Sequence, residues 1–287
     1  MTHDQLALGA MTFRGRDFEA SLDAAQRSGF RAIGISVAQC VACLERGIPP
    51  EAMAEALRER DLRVAELELV RLGEDGIAGH LNALVLDLIG ILHPDRVHVA
   101  AFSGTVEEVK REFATLCEQI TATDVAFEFM PYSTVRDVAT AVDLVRAAAS
   151  PRAKLVLDVV HFFRSGAEVS ELTPDLLALT AGLQLSDLVP RPGVQLAYES
   201  RHLRTFPGDG VLPLADFLRA VLTATGGVPP PITIEPVSDA LETLPVAWVA
   251  ERAMQSTARL LTEAGRPRWP VHGHDRPSRF PSSRRTR

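Results

Sequence analysis

Eight short apolar runs, each followed by a stretch with helical spacing, recur between Leu6 and Ala264 of this 287-residue chain. Strands that alternate with helices build parallel sheets, because each helix carries the chain back to start the next strand. The runs predict strands at Leu6–Phe13, Phe30–Ser36, Arg63–Val70, Arg96–Ala101, Val125–Phe129, Leu155–Val160, Leu183–Ser186 and Ile232–Pro236. Helices are expected at Asp17–Ser28, Pro50–Arg60, Gly76–Leu92, Val106–Thr121, Val135–Ala149, Pro174–Leu179, Pro213–Thr225 and Val246–Ala264. Eight such units, in a body of about 250 residues, predict a single-domain α/β chain, the (β/α)8 TIM barrel. A doubly wound open sheet is the rival. It would open on a glycine-rich dinucleotide loop, which LGAMTFRGR does not match.

Charge divides the chain in two. Residues 266–287 carry seven arginines against Asp275, whereas the body before them has a net charge of −13. The barrel is therefore placed at 1–265, and the Pro-, Arg- and Ser-rich tail at 266–287 is expected to be disordered. An acidic body does not suit nucleic acid. No apolar stretch reaches the roughly 18 residues of a membrane span, and the N-terminus lacks a signal-peptide pattern, so a cytoplasmic protein without a membrane partner is expected. Cys40 and Cys43 have CxxC spacing but no further zinc ligands beside them, and read as ordinary helix or loop residues. Only Lys110 and Lys154 could form a Schiff base, and neither ends a strand.

Four polar residues close four consecutive strands: Glu128, Asp158, Gln184 and Glu235. Oxygen-bearing side chains inside apolar runs are costly unless something pairs with them. In a barrel of parallel strands their C-terminal ends converge on one mouth. Three carboxylates and an amide form a hard, oxygen-rich set, which favours Mn2+ or Mg2+ over zinc. His161 lies three residues past Asp158 and, with an expected pKa near neutrality, is a candidate acid or base. Glu128 and Glu235, on opposite sides of the mouth, are candidate bases for the two faces of a substrate.

One connection is long. Leu188–Leu212 joins the seventh strand to its helix and holds Tyr198, Arg201, His202 and Arg204 before a Pro207–Gly210 turn. Loops of that length are usually functional or disordered. These four side chains are candidate substrate contacts, with Arg201 and Arg204 suited to a carboxylate or phosphate.

The motifs FEFMP, LDVVHFFRSG, QLSD, SRHLRTFPGDG and IEPVS resemble those of the xylose-isomerase-like barrels in the sugar phosphate isomerase/epimerase superfamily. The resemblance runs from Leu6 to about Ala264. It implies one divalent metal, held at the positions of Glu128, Asp158, Gln184 and Glu235. Where that family often carries His in an HxxD motif, this chain has Gln184 with Asp187 retained, as in the branch of the 3-dehydroshikimate dehydratases. The expected activity is a metal-dependent isomerase or epimerase acting on a keto-sugar, polyol or related small molecule, by proton abstraction next to a metal-bound carbonyl. The alternative is a lyase that eliminates water. A related endonuclease group would need more histidines and a basic face, and this chain has neither. The oligomeric state, a homo-oligomer included, is left open by the sequence.

Overall fold

Strands buried on both faces need hydrogen-bonding partners on both edges, and closure into a barrel provides them without leaving a free edge. A computed structural model describes residues 5–73 and 79–265, and within them the chain takes this route. The strands are β1 (Leu6–Leu8), β2 (Ala32–Ser36), β3 (Arg63–Leu72), β4 (Arg96–Ala101), β5 (Asp124–Glu128), β6 (Ala153–Asp158), β7 (Thr180–Leu185) and β8 (Ile232–Ile234). They close in sequence order, all parallel, with β8 returning to β1 through Leu6–Ile232 and Leu8–Ile234. The expected (β/α)8 barrel is the observed architecture.

The principal outer helices are α1 (Phe18–Arg27), α3 (Pro50–Glu59), α4 (His80–Leu92), α5 (Val106–Gln119), α6 (Val138–Ala147), α8 (Pro174–Ala178), α10 (Leu214–Ala224) and α12 (Val246–Glu263). Further helices lie at the mouth, namely α2 (Val37–Glu45), α7 (Val159–Arg164), α9 (Leu196–His202) and α11 (Asp239–Glu242). Helix α2 follows β2 without a loop, because Ser36 and Gln39 form a reciprocal capping box at its start. Cys40 and Cys43 lie on it as buried free thiols.

Most strand ends shift by one to three residues from the expectation, and at the first and sixth strands the reason is local. Only Leu6–Leu8 of the first run is strand, and Ala10–Phe13 forms a 3-10 turn. The sixth strand stops at Asp158, not Val160, because the Asp158 carboxylate accepts the backbone N–H of His161 and starts α7. The long connection is folded rather than disordered. Asp187–Leu188 pairs with Arg204–Thr205 as a short antiparallel ribbon, and α9 lies between them. Asp187 holds this connection by accepting the backbone N–H groups of Leu188, Gly208 and Leu212. A Cβ on Gly210 would lie 2.4 Å from its Oδ1, so the turn needs glycine there.

No described helix is long and apolar enough to cross a membrane. The basic tail at 266–287 and the predicted first residues of the third outer helix, 76–78, lie outside the described residues.

Candidate metal and active site

Five acidic side chains carried by the strands and their ends, Glu66, Glu68, Glu128, Asp158 and Glu235, are buried at the mouth, and Arg96 and Arg204 are buried with them. Arg204 donates from Nη1 to Asp158 Oδ2 at 2.5 Å, and Arg96 donates from Nη2 to Glu66 Oε2 at 2.5 Å. Glu68, Glu128 and Glu235 have no such partner among the described residues. Charge-assisted pairs offset the cost of burial for two acids, which leaves three in excess. The pKa directions follow this count. Against the upward push of burial, Arg204 and His161 hold Asp158 below its ordinary value. His98 and Arg96 likewise hold Glu66 down at about 2. Burial, with the charges of neighbouring carboxylates, pushes Glu128 and Glu68 well above the usual range and Glu235 up to about 8.

The four strand-end residues arrive at one level of the barrel. Asp158 and Gln184 are register partners across β6 and β7, while Glu128 ends β5 and Glu235 directly follows β8. Carboxylate and imidazole atoms of Glu128, Asp158 and His161 lie within 4.8 Å of one another. Gln184 donates from Nε2 to Glu235 Oε2 at 3.1 Å, and its Oε1 is buried with no hydrogen-bond partner among the described residues. An orphaned amide oxygen beside excess carboxylates is the donor set that a divalent cation satisfies. The donor chemistry fits such an ion, which Glu128, Asp158, Gln184 and Glu235 would hold; in this structure the Glu235 carboxylate groups with Glu66 and Glu68, and Glu128 and Asp158 group with His161.

Burial, reinforced by Arg204, brings His161 down to about 4, which corrects the expectation of a near-neutral group. The ring is nearly enclosed, 3.3 Å from Arg204 Nη2 and 3.7 Å from Glu128 Oε1. At neutral pH it therefore offers hydrogen bonds and no charge.

A cavity of about 630 Å3 opens above these groups. Glu68, Glu128, His161, Arg201, Arg204 and Glu235 face it, and Val37, Ala38, Val41 and Ala42 of α2 form an apolar wall. The four expected substrate contacts separate. Arg201 lines the cavity, with its guanidinium 5.9 Å from the Tyr132 ring centre and 6.0 Å from that of Phe102. Arg204 also reaches the cavity, but Asp158, Ser186, both acceptors of Ser200 and His161 occupy its N–H groups. A saturated guanidinium has no donor left for a substrate, so Arg204 positions Asp158 instead. Tyr198 and His202 stack on each other at 4.4 Å outside the cavity wall, and His202 Nδ1 lies 2.7 Å from Asp239.

Sequence reasoning missed Glu66, Glu68 and Arg96. The available signal was the alternation in RVAELELV. In a closed barrel one face of every strand points into the interior, so Glu66 and Glu68, two residues apart, share that face.

The excess acids predict a pH dependence. A carboxylate whose folded pKa is raised stabilises the fold fully below its unfolded value, here 4.5, and that contribution is lost as the pH rises through the folded value. His161, lowered from 6.5 to about 4, acts in the opposite sense, but only below pH 6.5. Glu66 and Asp158 act only in the acid range, below the ordinary carboxylate values. Between pH 6.5 and about 8 the raised carboxylates stand alone, so the melting temperature of the chelator-treated protein should fall with rising pH. Saturating Mn2+ should flatten the fall. A melting temperature that rises across this window would show that the glutamates are not raised.

Comparison with known proteins adds the family. A family model described as a xylose isomerase-like TIM barrel matches residues 3–262. No curated relative matches the chain. Among solved structures, a xylose isomerase-like TIM barrel/4-hydroxyphenylpyruvate dioxygenase fusion protein is similar at 20% identity and a TM-score of 0.78. The alignment covers 91% of this chain and 43% of that one, so this chain spans less than half of the fusion protein. The IolI protein with a bound zinc atom is similar at 18% identity and a TM-score of 0.77, over 90% of this chain and 98% of that one. AsbF of Bacillus anthracis, a probable 3-DHS dehydratase in petrobactin synthesis, is similar at 13% identity and a TM-score of 0.67. Its alignment covers 88% of this chain and 98% of AsbF. At these identities the likeness to solved structures concerns the fold.

Proposed function

The chain belongs to the xylose isomerase-like TIM barrel family, and from that premise we propose a divalent-cation-dependent isomerase or epimerase of a small hydroxy-carbonyl compound. The observation that carries this reading is the pair Glu128 and Glu235. Both line one cavity, on strands separated by β6 and β7, and both have pKa values raised by burial and neighbouring acids. Mn2+ or Mg2+ fits the oxygen-rich donors of Glu128, Asp158, Gln184 and Glu235, and when bound it supplies Lewis acidity toward the substrate's oxygens. Arg204 holds Asp158 in place, and the backbone N–H of His161 fixes the second carboxylate oxygen. One glutamate takes the proton next to the carbonyl, and the other returns a proton to the opposite face. The neutral His161 ring offers a hydrogen bond to a substrate oxygen. Apolar walls from α2 and the Phe102 and Tyr132 rings surround the space in which the reacting carbon would sit.

Loss of water from a cyclic hydroxy-keto acid is the second reading. Arg201 favours it, since its guanidinium faces the cavity between two aromatic rings with no carboxylate partner among the described residues. Such an arginine suits a substrate carboxylate. The likeness to AsbF supports the same reading.

Incubating the Mn2+-loaded protein in deuterated water with ketoses, polyol-derived ketones and a dehydroshikimate-like acid tests both. The isomerase reading expects deuterium at the carbon next to the carbonyl, with no other change in mass. Release of water with a new ultraviolet-absorbing aromatic product would move the assignment to the lyase. Neither exchange nor elimination across the panel would reject both.

A further inference from the structure

Two hydroxyl groups on the cavity wall share more protons than they have acceptors. Ser200, on α9, is buried, and both it and Tyr132 line the cavity. Arg204 grips Ser200 twice, donating from Nε to its carbonyl oxygen at 2.7 Å and from Nη2 to its Oγ at 2.8 Å. Tyr132 Oη lies 3.2 Å from the same Oγ.

A serine hydroxyl has one proton and two lone pairs, and a phenol also carries one proton. The pair therefore has two protons and a single hydrogen bond between its members. The Arg204 N–H fills one lone pair of Ser200 whichever way that bond runs. If Tyr132 donates, both lone pairs of Ser200 are filled and its Oγ–H is left over. If Ser200 donates, the Tyr132 Oη–H is left over. No acceptor for the remaining proton lies among the described residues. In particular, Ser200 does not bond to the carbonyl one turn back, as Thr223 does in α10. The proton points to whatever fills the cavity.

This donor is held in place from both sides. Arg204 is itself buried and tied to Asp158 and Ser186, so it fixes the Ser200 side chain. The Tyr132 ring packs edge-on against His161, with ring centres 5.5 Å apart, and His161 lies 3.7 Å from Glu128. The hydroxyl pair thus stands at the reacting end of the cavity. Burial pushes the Tyr132 phenol above its ordinary value, so it keeps its proton at neutral pH. A donor fixed in advance stabilises negative charge that develops on a nearby oxygen.

We propose that Tyr132 and Ser200 act together as one hydrogen-bond donor to the substrate oxygen that becomes negative during turnover. This inference rests on the proposed function. A glutamate takes the proton next to the carbonyl, the C–H electron pair forms the carbon–carbon double bond, and the carbonyl pair moves onto oxygen. The hydroxyl pair bonds to that oxygen and transfers no proton, so both residues end the cycle unchanged. The same oxygen becomes charged when loss of water begins with that proton, so the role holds for either reaction.

The test combines kinetics of the Mn2+-loaded full-length chain with calorimetric binding of glycolohydroxamate, a planar mimic of an enediolate. Ser200→Ala should lower kcat by about 100-fold, the usual loss for one donor to a developing oxyanion, with KM little changed. Tyr132→Phe, which keeps the ring, should lower kcat in the same way. Combining the two should cost little beyond the larger single loss, because the residues act as a unit. Glycolohydroxamate affinity should fall with kcat, a readout that needs no substrate. Mn2+ content and melting temperature should stay at wild-type values in both variants. A role confined to positioning Arg204 would instead lower the Mn2+ content of Ser200→Ala and leave Tyr132→Phe at wild-type kcat, which would overturn this inference. Wild-type kcat and hydroxamate affinity in both variants would overturn it too, and would leave the proposed function standing. A wild-type protein that neither turns over the substrate panel nor binds glycolohydroxamate would overturn both.

Discussion

Replacing Glu235 with Gln should strip the chain of bound Mn2+ and lower kcat/KM by about 1,000-fold or more, because a Lewis acid contributes several kcal/mol to charge stabilisation in such reactions. Glu235 follows β8 directly, its Oε1 is fixed by Met11 N–H at 3.1 Å, and its Oε2 receives Gln184. Glutamine keeps this size but removes the negative charge and presents an N–H2 group to one neighbour. The proposed cation loses a ligand, and the substrate loses one of its two flanking acids. Metal analysis and steady-state kinetics on the same preparation check both losses. A variant that keeps its full metal content would remove Glu235 from the ligand set. The fold should survive, because the metal-free protein loses an excess buried acid at pH values above about 8, where Glu235 would otherwise be ionised.

The second large effect lies lower in the barrel. Arg96 is 2% exposed and bonds to Glu66, Thr233 and His98. Its guanidinium fills space that Gly182 leaves open, where a Cβ would stand 2.6 Å from Arg96 Cζ. Arg96→Met should destabilise the metal-free protein by about 3–5 kcal/mol, the usual cost of leaving one member of a buried ion pair uncompensated. Removing the partner as well, in Arg96→Met with Glu66→Leu, should recover most of that loss, because two apolar side chains need no counter-charge. Urea unfolding of wild type, both single variants and the double variant measures the coupling. A single-variant loss below about 1 kcal/mol, against that range, would mean that Glu66 takes up a proton instead of remaining charged.

The architecture was legible because it depends on local patterns. The strand–helix rhythm and the apolar content of each run identify a parallel barrel, and β4 runs over the expected Arg96–Ala101. Boundaries shifted where a side chain acted on the backbone, as at Asp158, whose cap ends β6 and begins α7. The converging strand ends were legible for the same reason. A parallel barrel brings Glu128, Asp158, Gln184 and Glu235 to one mouth whatever their separation in sequence.

The roles of individual charges were not legible. Arg201 and Arg204 are three residues apart on one segment, yet Arg201 faces the cavity and Arg204 spends its donors on Asp158, Ser186, Ser200 and His161. Tyr198 and His202, near them in sequence, turn away to stack on each other. A charged side chain reads the same in sequence whether it meets solvent, substrate or a buried counter-ion, and the partner is usually far along the chain.

The sequence by itself therefore determined a (β/α)8 barrel and the four polar strand ends at its mouth, since hydrophobic periodicity and strand direction are local properties. Only the tertiary structure decided how five buried acids are shared between two arginines. That balance depends on Arg96 meeting Glu66 and Arg204 meeting Asp158 across strands and loops, because electrostatic pairing follows distance in space and ignores distance along the chain.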